Sequence, residues 1–281
     1  MADVYRAQDV YLDKEVAVKV IRLDHLSQAE YAEGMERFRG EPRKMAEFRH
    51  PNIIKVYRFG EVQGVPYIVM DFVDGGTLAE RLGTPKSVHE TVRVLRPIAD
   101  ALDYAHGRQS PVFHRDVKPS NILLWSNGTP VLADFGIAKQ PDNSRDMITR
   151  GNRLMGTPEY MAPEQVLGIV GPATDQYALA IVAFEMLTGR VPFDRTNADT
   201  PLGVAMAHVH KPLPPPRSVN PALTAATERA LLKALDKRPE QRYPSVSAFI
   251  TVLGAAAGTR REPEPWFVRW LPALGGRKRI G

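Results

Sequence analysis

The chain has 281 residues and a mass of 31.3 kDa, with 43% apolar and 25% charged residues, enough to bury the core of one large or two modest domains. It has no cysteine, which excludes disulfides and cysteine-ligated zinc and fits a reducing compartment. The net charge of +5 sits mostly in residues 259–281, where six basic residues face two acidic ones, so the body is near neutral and no nucleic-acid partner is expected.

In chain order, Val4-Tyr5-Arg6-Ala7 and Val16-Ala17-Val18-Lys19-Val20 predict two strands joined by a polar link through Asp9, Asp13 and Lys14. Residues 29–49 predict a charged helical segment in which Phe38, Met45 and Phe48 suit one face. Val65 to Val69 predicts a further strand. Gly75-Gly76 then breaks the chain, and Thr77 can cap the segment after it. Leu95, Ile98, Ala99, Leu102 and Ala105 recur at helical spacing and predict a buried helix, which Pro97 should kink or delay.

The stretch from Phe113 to Glu164 holds the chemistry. It reads His114-Arg115-Asp116-Val117-Lys118-Pro119-Ser120-Asn121, then Asp134-Phe135-Gly136, then Ala162-Pro163-Glu164. Ile122-Leu123-Leu124 and Val131-Leu132-Ala133 flank Asn127-Gly128, a hairpin signal that places Asn121 and Asp134 at the two ends of one hairpin. Residues 140–153 are polar and without periodicity. Tyr177 to Leu187 is the longest apolar stretch; it contains Glu185, is too short to span a bilayer, and stops at Thr188-Gly189. Pro212, Pro214, Pro215 and Pro216 predict an extended link, with a partner-domain ligand as the alternative. Residues 222–235 and 245–253 predict closing helices. Beyond Gly254 the composition shifts to Ala, Gly, Arg and Pro, and Trp266, Phe267, Trp270 and Leu271 either pack on the body or make peripheral membrane contact.

His-Arg-Asp with Asn five residues after the Asp, then Asp-Phe-Gly, then Ala-Pro-Glu, resembles the signature set of protein kinases. Residues 1–257 resemble a bacterial, eukaryotic-like (Hanks-type) serine/threonine kinase domain. The resemblance implies an α+β fold of two lobes. Residues 1–70 would form a small antiparallel-sheet N-lobe, 71–74 a hinge and 75–257 a larger helical C-lobe, with 258–281 a basic, Trp-containing tail. It implies transfer of the γ-phosphate of Mg-ATP, with Mn²⁺ as an alternative metal, to Ser or Thr of protein substrates. Phosphoryl transfer needs an aligned hydroxyl, cations on the phosphates and hard oxygen ligands for the metal.

By resemblance, Asp116 is the base, Lys118 reaches the γ-phosphate, Asn121 and Asp134 hold the metal, and Lys19, paired with Glu41 or, as the second candidate, Glu47, holds the α- and β-phosphates. His50-Pro51-Asn52-Ile53 resembles the turn before a strand. Val4, Ala17, Met70 as gatekeeper, the Asp71 and Val73 backbone, Leu123 and Asp134 would surround ATP. Thr157 in Gly156-Thr157-Pro158-Glu159-Tyr160 would bridge Asp116 and Lys118 and favours Ser/Thr substrates. Arg115 would await a phosphate on the activation loop, with Thr149 the candidate site and Ser144 second, placed there by autophosphorylation in a kinase–kinase dimer. Glu164 with Arg242, and Asp175 on the catalytic-loop backbone, would be structural. The family's first strand and glycine-rich loop have no counterpart before Val4. The expectation is a start that lies upstream; the alternative is a real loss, leaving a pseudokinase scaffold. Residues 1–20 carry scattered charge rather than a signal peptide, and a cytoplasmic location is expected.

Overall fold

The computed structural model describes residues 2–11, 13–22, 47–135, 157–194 and 200–257. The valine-rich segments at the start pair as β1 (Ala2–Asp9) and β2 (Lys14–Ile21), joined in the same sheet by β3 (Val56–Val62) and β4 (Val65–Asp71). This antiparallel sheet has the order β1-β2-β4-β3, so the strand ending at Asp71 is an inner strand rather than an edge. Opposed residues of antiparallel strands share a face. Val4 lies opposite Lys19, and Ala17 opposite Met70, so these four side chains line one face of the sheet.

The second sheet is a hairpin of β5 (Ile122–Leu124) and β6 (Pro130–Leu132). Its connection is not a two-residue primed turn, because β5 ends at Leu124 and β6 starts only at Pro130. Gly128 alone takes φ +84°, and its N–H donates to Trp125 O at 2.7 Å. The hairpin is stitched on both sides. On the β6 side Ile54 N–H donates to Leu132 O (2.9 Å), Leu132 N–H to Asn52 O (2.8 Å) and Asn52 Nδ2 to Pro130 O (2.7 Å). On the β5 side Leu78 N–H donates to Ile122 O (2.8 Å) and Leu124 N–H to Gly76 O (2.9 Å). The His50-Pro51-Asn52-Ile53 segment is therefore a turn that ties the four-stranded sheet to the hairpin. A side chain at Gly75 would collide with the carbonyl of Leu124 at 2.3 Å, which explains the glycine where the chain crosses β5.

The described residues beyond the two sheets are largely helical. Helix α1 (Val88–His106) starts on a capping box in which Ser87 and Glu90 satisfy each other's backbone N–H groups. Pro97 lies inside this helix and does not delay it; the cap sets the start ten residues earlier. Helix α2 (Pro172–Thr188) contains the long apolar stretch. It is buried from Thr174 to Phe184 and ends at Gly189, φ +81°. Around it pack α3 (Pro201–His210), α4 (Ala225–Ala234) and α5 (Val246–Ala255), with one-turn helices at Pro163–Val166 and Pro216–Val219. The proline run is an extended link into the second of these, which Pro216 starts. Asp103 of α1 caps α5 by accepting from Val246 N–H (3.0 Å) and Ser247 N–H (2.9 Å). A four-stranded antiparallel lobe on a helical lobe is the two-lobed α+β fold. Among the described residues no helix is long and apolar enough to cross a membrane.

Candidate active site

Residues 114–121 lie where α1 gives way to the hairpin, against α2. Asp175 of α2 is fully buried, and its carboxylate accepts from His114 N–H and Arg115 N–H, each at 2.8 Å. His106, the last residue of α1, meets the same carboxylate through Nε2 at 2.8 Å. Burial pushes this carboxyl up, but the hydrogen bond and charge of His106, with the backbone hydrogen bond from His114, bring it below the usual range. Gln165 Nε2 donates to Arg115 O at 2.9 Å, so Arg115, at φ +65°, is held on both sides of its backbone. Such a positive φ persists only when surroundings over-determine it. His114 is buried, its ring lies 4.6 Å from that of Phe135 at a tilt of 56°, and its Nε2 meets Ala133 O at 2.8 Å. Burial lowers its pKa and keeps the ring neutral.

This frame presents Asp116. Lys118 Nζ lies 3.1 Å from Asp116 Oδ2 and donates to Thr157 Oγ1 at 2.8 Å. Asn121 Nδ2 donates to Asp116 O (2.8 Å) and Asp116 Oδ2 (3.2 Å). The amide therefore turns its nitrogen toward Asp116 and leaves Oδ1 as its acceptor. Asn121 O accepts from Ala133 N–H at 2.9 Å, so the two ends of the hairpin adjoin and Asp134 comes directly after. Asp134 takes φ +61°, and its Oδ1 accepts from Lys19 Nζ at 2.5 Å. The sheet face carrying Val4, Ala17, Lys19 and Met70 is thereby joined to the hairpin end.

Glu164 and Arg242 form a buried bidentate pair at 2.7 and 2.8 Å, and Arg242 also donates to Ala173 O (2.8 Å) and Asp236 O (2.8 Å). With its donors satisfied this way the pair tolerates burial; removing one partner of such a pair costs about 3–5 kcal/mol. Tyr160 donates to Glu185 Oε2 at 2.6 Å, which fixes the segment after Thr157 to α2.

The structure thus brings together Asp116, Lys118, Asn121 and Thr157, joins Lys19 to Asp134, and pairs Glu164 with Arg242. Leu123 lies in β5, bridged to Thr77, while Asp71 and Val73 lie at the exit of β4. Glu41, Ser144, Thr149 and the tail 258–281 lie outside the described residues. Among the described residues no group of three or more His, Asp or Glu gathers as a metal site. One carboxylate and one amide oxygen suit a cation whose shell is completed by phosphate and water. Sequence reasoning missed His106, Gln165 and Glu185, because their partners lie 69, 50 and 25 residues away.

The protein kinase domain family matches residues 1–249. The serine/threonine-protein kinase Pkn1 of Myxococcus xanthus is 41% identical over 261 residues, which is 91% of this chain and 36% of that protein. The serine/threonine-protein kinase PrkC of Bacillus subtilis is 38% identical over 246 residues, 86% of this chain and 36% of its own length. The serine/threonine-protein kinase PknB of Mycobacterium tuberculosis is 37% identical over 254 residues, 88% of this chain and 39% of its own. The chain spans a little over a third of the length of these relatives.

Proposed function

This chain belongs to the protein kinase domain family, and on that premise we propose that it transfers the γ-phosphate of Mg-ATP to serine or threonine hydroxyls of protein substrates. The observation that carries this reading is the cluster of Lys118 on both Asp116 (3.1 Å) and Thr157 (2.8 Å), with Asn121 closing on Asp116. Asp116 accepts the proton of the attacking hydroxyl. Lys118 neutralises charge on the transferred group, and its bond to Thr157 keeps it beside the acceptor. Lys19 steadies the phosphates from the sheet side, and Asp134 and Asn121 Oδ1 would hold Mg²⁺, which supplies charge neutralisation on the phosphate oxygens. The adenine would lie against Val4, Ala17, Met70, Leu123 and the backbone of Asp71 and Val73.

Regulation is read as autophosphorylation at Thr149, whose phosphate would meet Arg115 through charge-assisted hydrogen bonds. Both readings are checked by one experiment: incubation with labelled ATP and magnesium, with phosphopeptide mapping, beside an Asp116→Asn control. Label in the parent alone, recovered on Thr149, is expected. Equal label in both would refute the role of Asp116. No label in the parent, nor in a form extended by whatever coding sequence precedes Met1, would refute the kinase reading.

A further inference from the structure

Three strands of the four-stranded sheet each send one polar side chain to a single point, the place where the chain leaves that sheet. Asp71 is the last residue of β4; its side chain is 15% exposed, and Oδ1 accepts from Lys14 Nζ at 2.7 Å. Lys14 is the first residue of β2. Tyr57, the second residue of β3, donates its hydroxyl to the same oxygen, and Lys14 Nζ also contacts Tyr57 OH. The ammonium lies 4.8 Å from the centre of the Tyr57 ring. The backbone is fixed at the same spot: Asp71 N–H donates to Lys55 O at 3.0 Å, and Asp71 lies opposite Val16 in the β2–β4 register. Asp71 is thus tied to β2 and to the β3 side through both its backbone and its carboxylate.

A cross-strand ion pair at a sheet margin needs no function to exist, and an exposed pair contributes little to stability. This one differs in placement. The residue it holds is the one whose main-chain carbonyl is assigned to the adenine edge. A hydrogen bond to a carbonyl weakens steeply with misalignment, so a carbonyl fixed before binding gains affinity that a mobile one loses to ordering.

We propose that Lys14, through the Lys14–Asp71–Tyr57 cluster, is a positioning residue for adenine-nucleotide binding, holding the Asp71 main chain in its binding geometry without touching the nucleotide. This rests on the kinase reading of the site. Lys14→Met keeps the aliphatic stem and removes the charge, and Lys14→Arg restores a donor. Two readouts separate the inference from its premise. Amide hydrogen exchange of the 70–75 segment without nucleotide reads the clamp itself. Calorimetric titration with Mg-ADP reads its consequence. We expect at least tenfold faster exchange in Lys14→Met, ADP binding weakened about tenfold, kcat at saturating ATP within twofold of the parent, and recovery of all of these in Lys14→Arg.

Unchanged exchange and unchanged ADP affinity in a folded Lys14→Met protein would overturn the proposal. So would a fall in melting temperature with ADP affinity kept, which would make the cluster a structural staple only. Faster exchange in a parent background that takes up no ADP would leave the clamp standing while overturning the nucleotide reading and the positioning role with it.

Discussion

Asp134 illustrates how much depends on one side chain. It is the residue where sheet and hairpin ends meet, through Lys19 at 2.5 Å, and it holds φ +61° in doing so. On the proposed reading its charge is the main holder of the metal. Asp134→Asn keeps the shape and removes the charge, so we expect phosphoryl transfer to fall below detection, at least about a thousandfold, in a labelled-ATP assay of a folded protein. Near-normal turnover would refute the assignment. Asn121 makes a complementary point: its amide nitrogen is committed to Asp116 at 2.8 and 3.2 Å, which decides which end of the amide is left as an acceptor.

At the scale of elements, position is set by caps and seams. Helix α1 carries His106 to Asp175, and its register depends on where it begins. That start is fixed by Ser87 and Glu90 rather than by Pro97. Loss of an N-cap costs about 1 kcal/mol, which for a domain of this size lowers the melting temperature by about 2–4 °C. Ser87→Ala should show that loss in thermal unfolding, whereas Ser87→Asp should not, because aspartate also caps. Equal melting of parent and alanine variant would mean that the helix start is held by packing alone. The hairpin behaves likewise. It is short, yet hydrogen bonds to residues 52–54 on one side and 76–78 on the other keep its ends, and hence Asn121 and Asp134, adjacent.

For the whole molecule, the consequential groups are those buried where water cannot reach. His208 of α3 is fully buried, with Nδ1 2.9 Å from Tyr177 OH and its ring 5.0 Å from the Phe193 ring. Burial, and then the charge of Lys237, lowers its pKa to about 3. The folded state therefore refuses a proton that the unfolded chain accepts below the ordinary value of 6.5. Its stabilising contribution is complete above that value and is lost as pH falls toward 3. Between pH 7 and pH 5 this one group should remove about 2 kcal/mol of stability. Urea unfolding at the two pH values should show that drop, reduced in His208→Gln, whose side chain does not titrate. A drop of equal size in the variant would assign the acid sensitivity elsewhere, for instance to His114, which burial also keeps neutral.

The sequence by itself determined what is local. Alternation and β-branching specified the strands at Val4 and Val16, helical spacing specified the helix of Leu95 and Ala105, and Gly189 marked where the long apolar helix stops. The ordered motifs carry the family resemblance on which the proposed chemistry rests, because the spacing of Asp116, Lys118 and Asn121 along one loop is itself a local property. Beyond the pairings that the resemblance implied, such as Glu164 with Arg242, what only the tertiary structure decided is which distant groups meet. Asp175 receives His106 from 69 residues away, Asp134 receives Lys19 from 115, and Asp71 receives Lys14 from 57. Each of these residues reads alone as an ordinary charged or polar side chain, since a pairing across a fold leaves no mark on the sequence neighbouring either partner. The proline inside α1 does not set where the helix starts: its ring disfavours a helix interior locally, but a capped start and a buried apolar face outweigh that local cost.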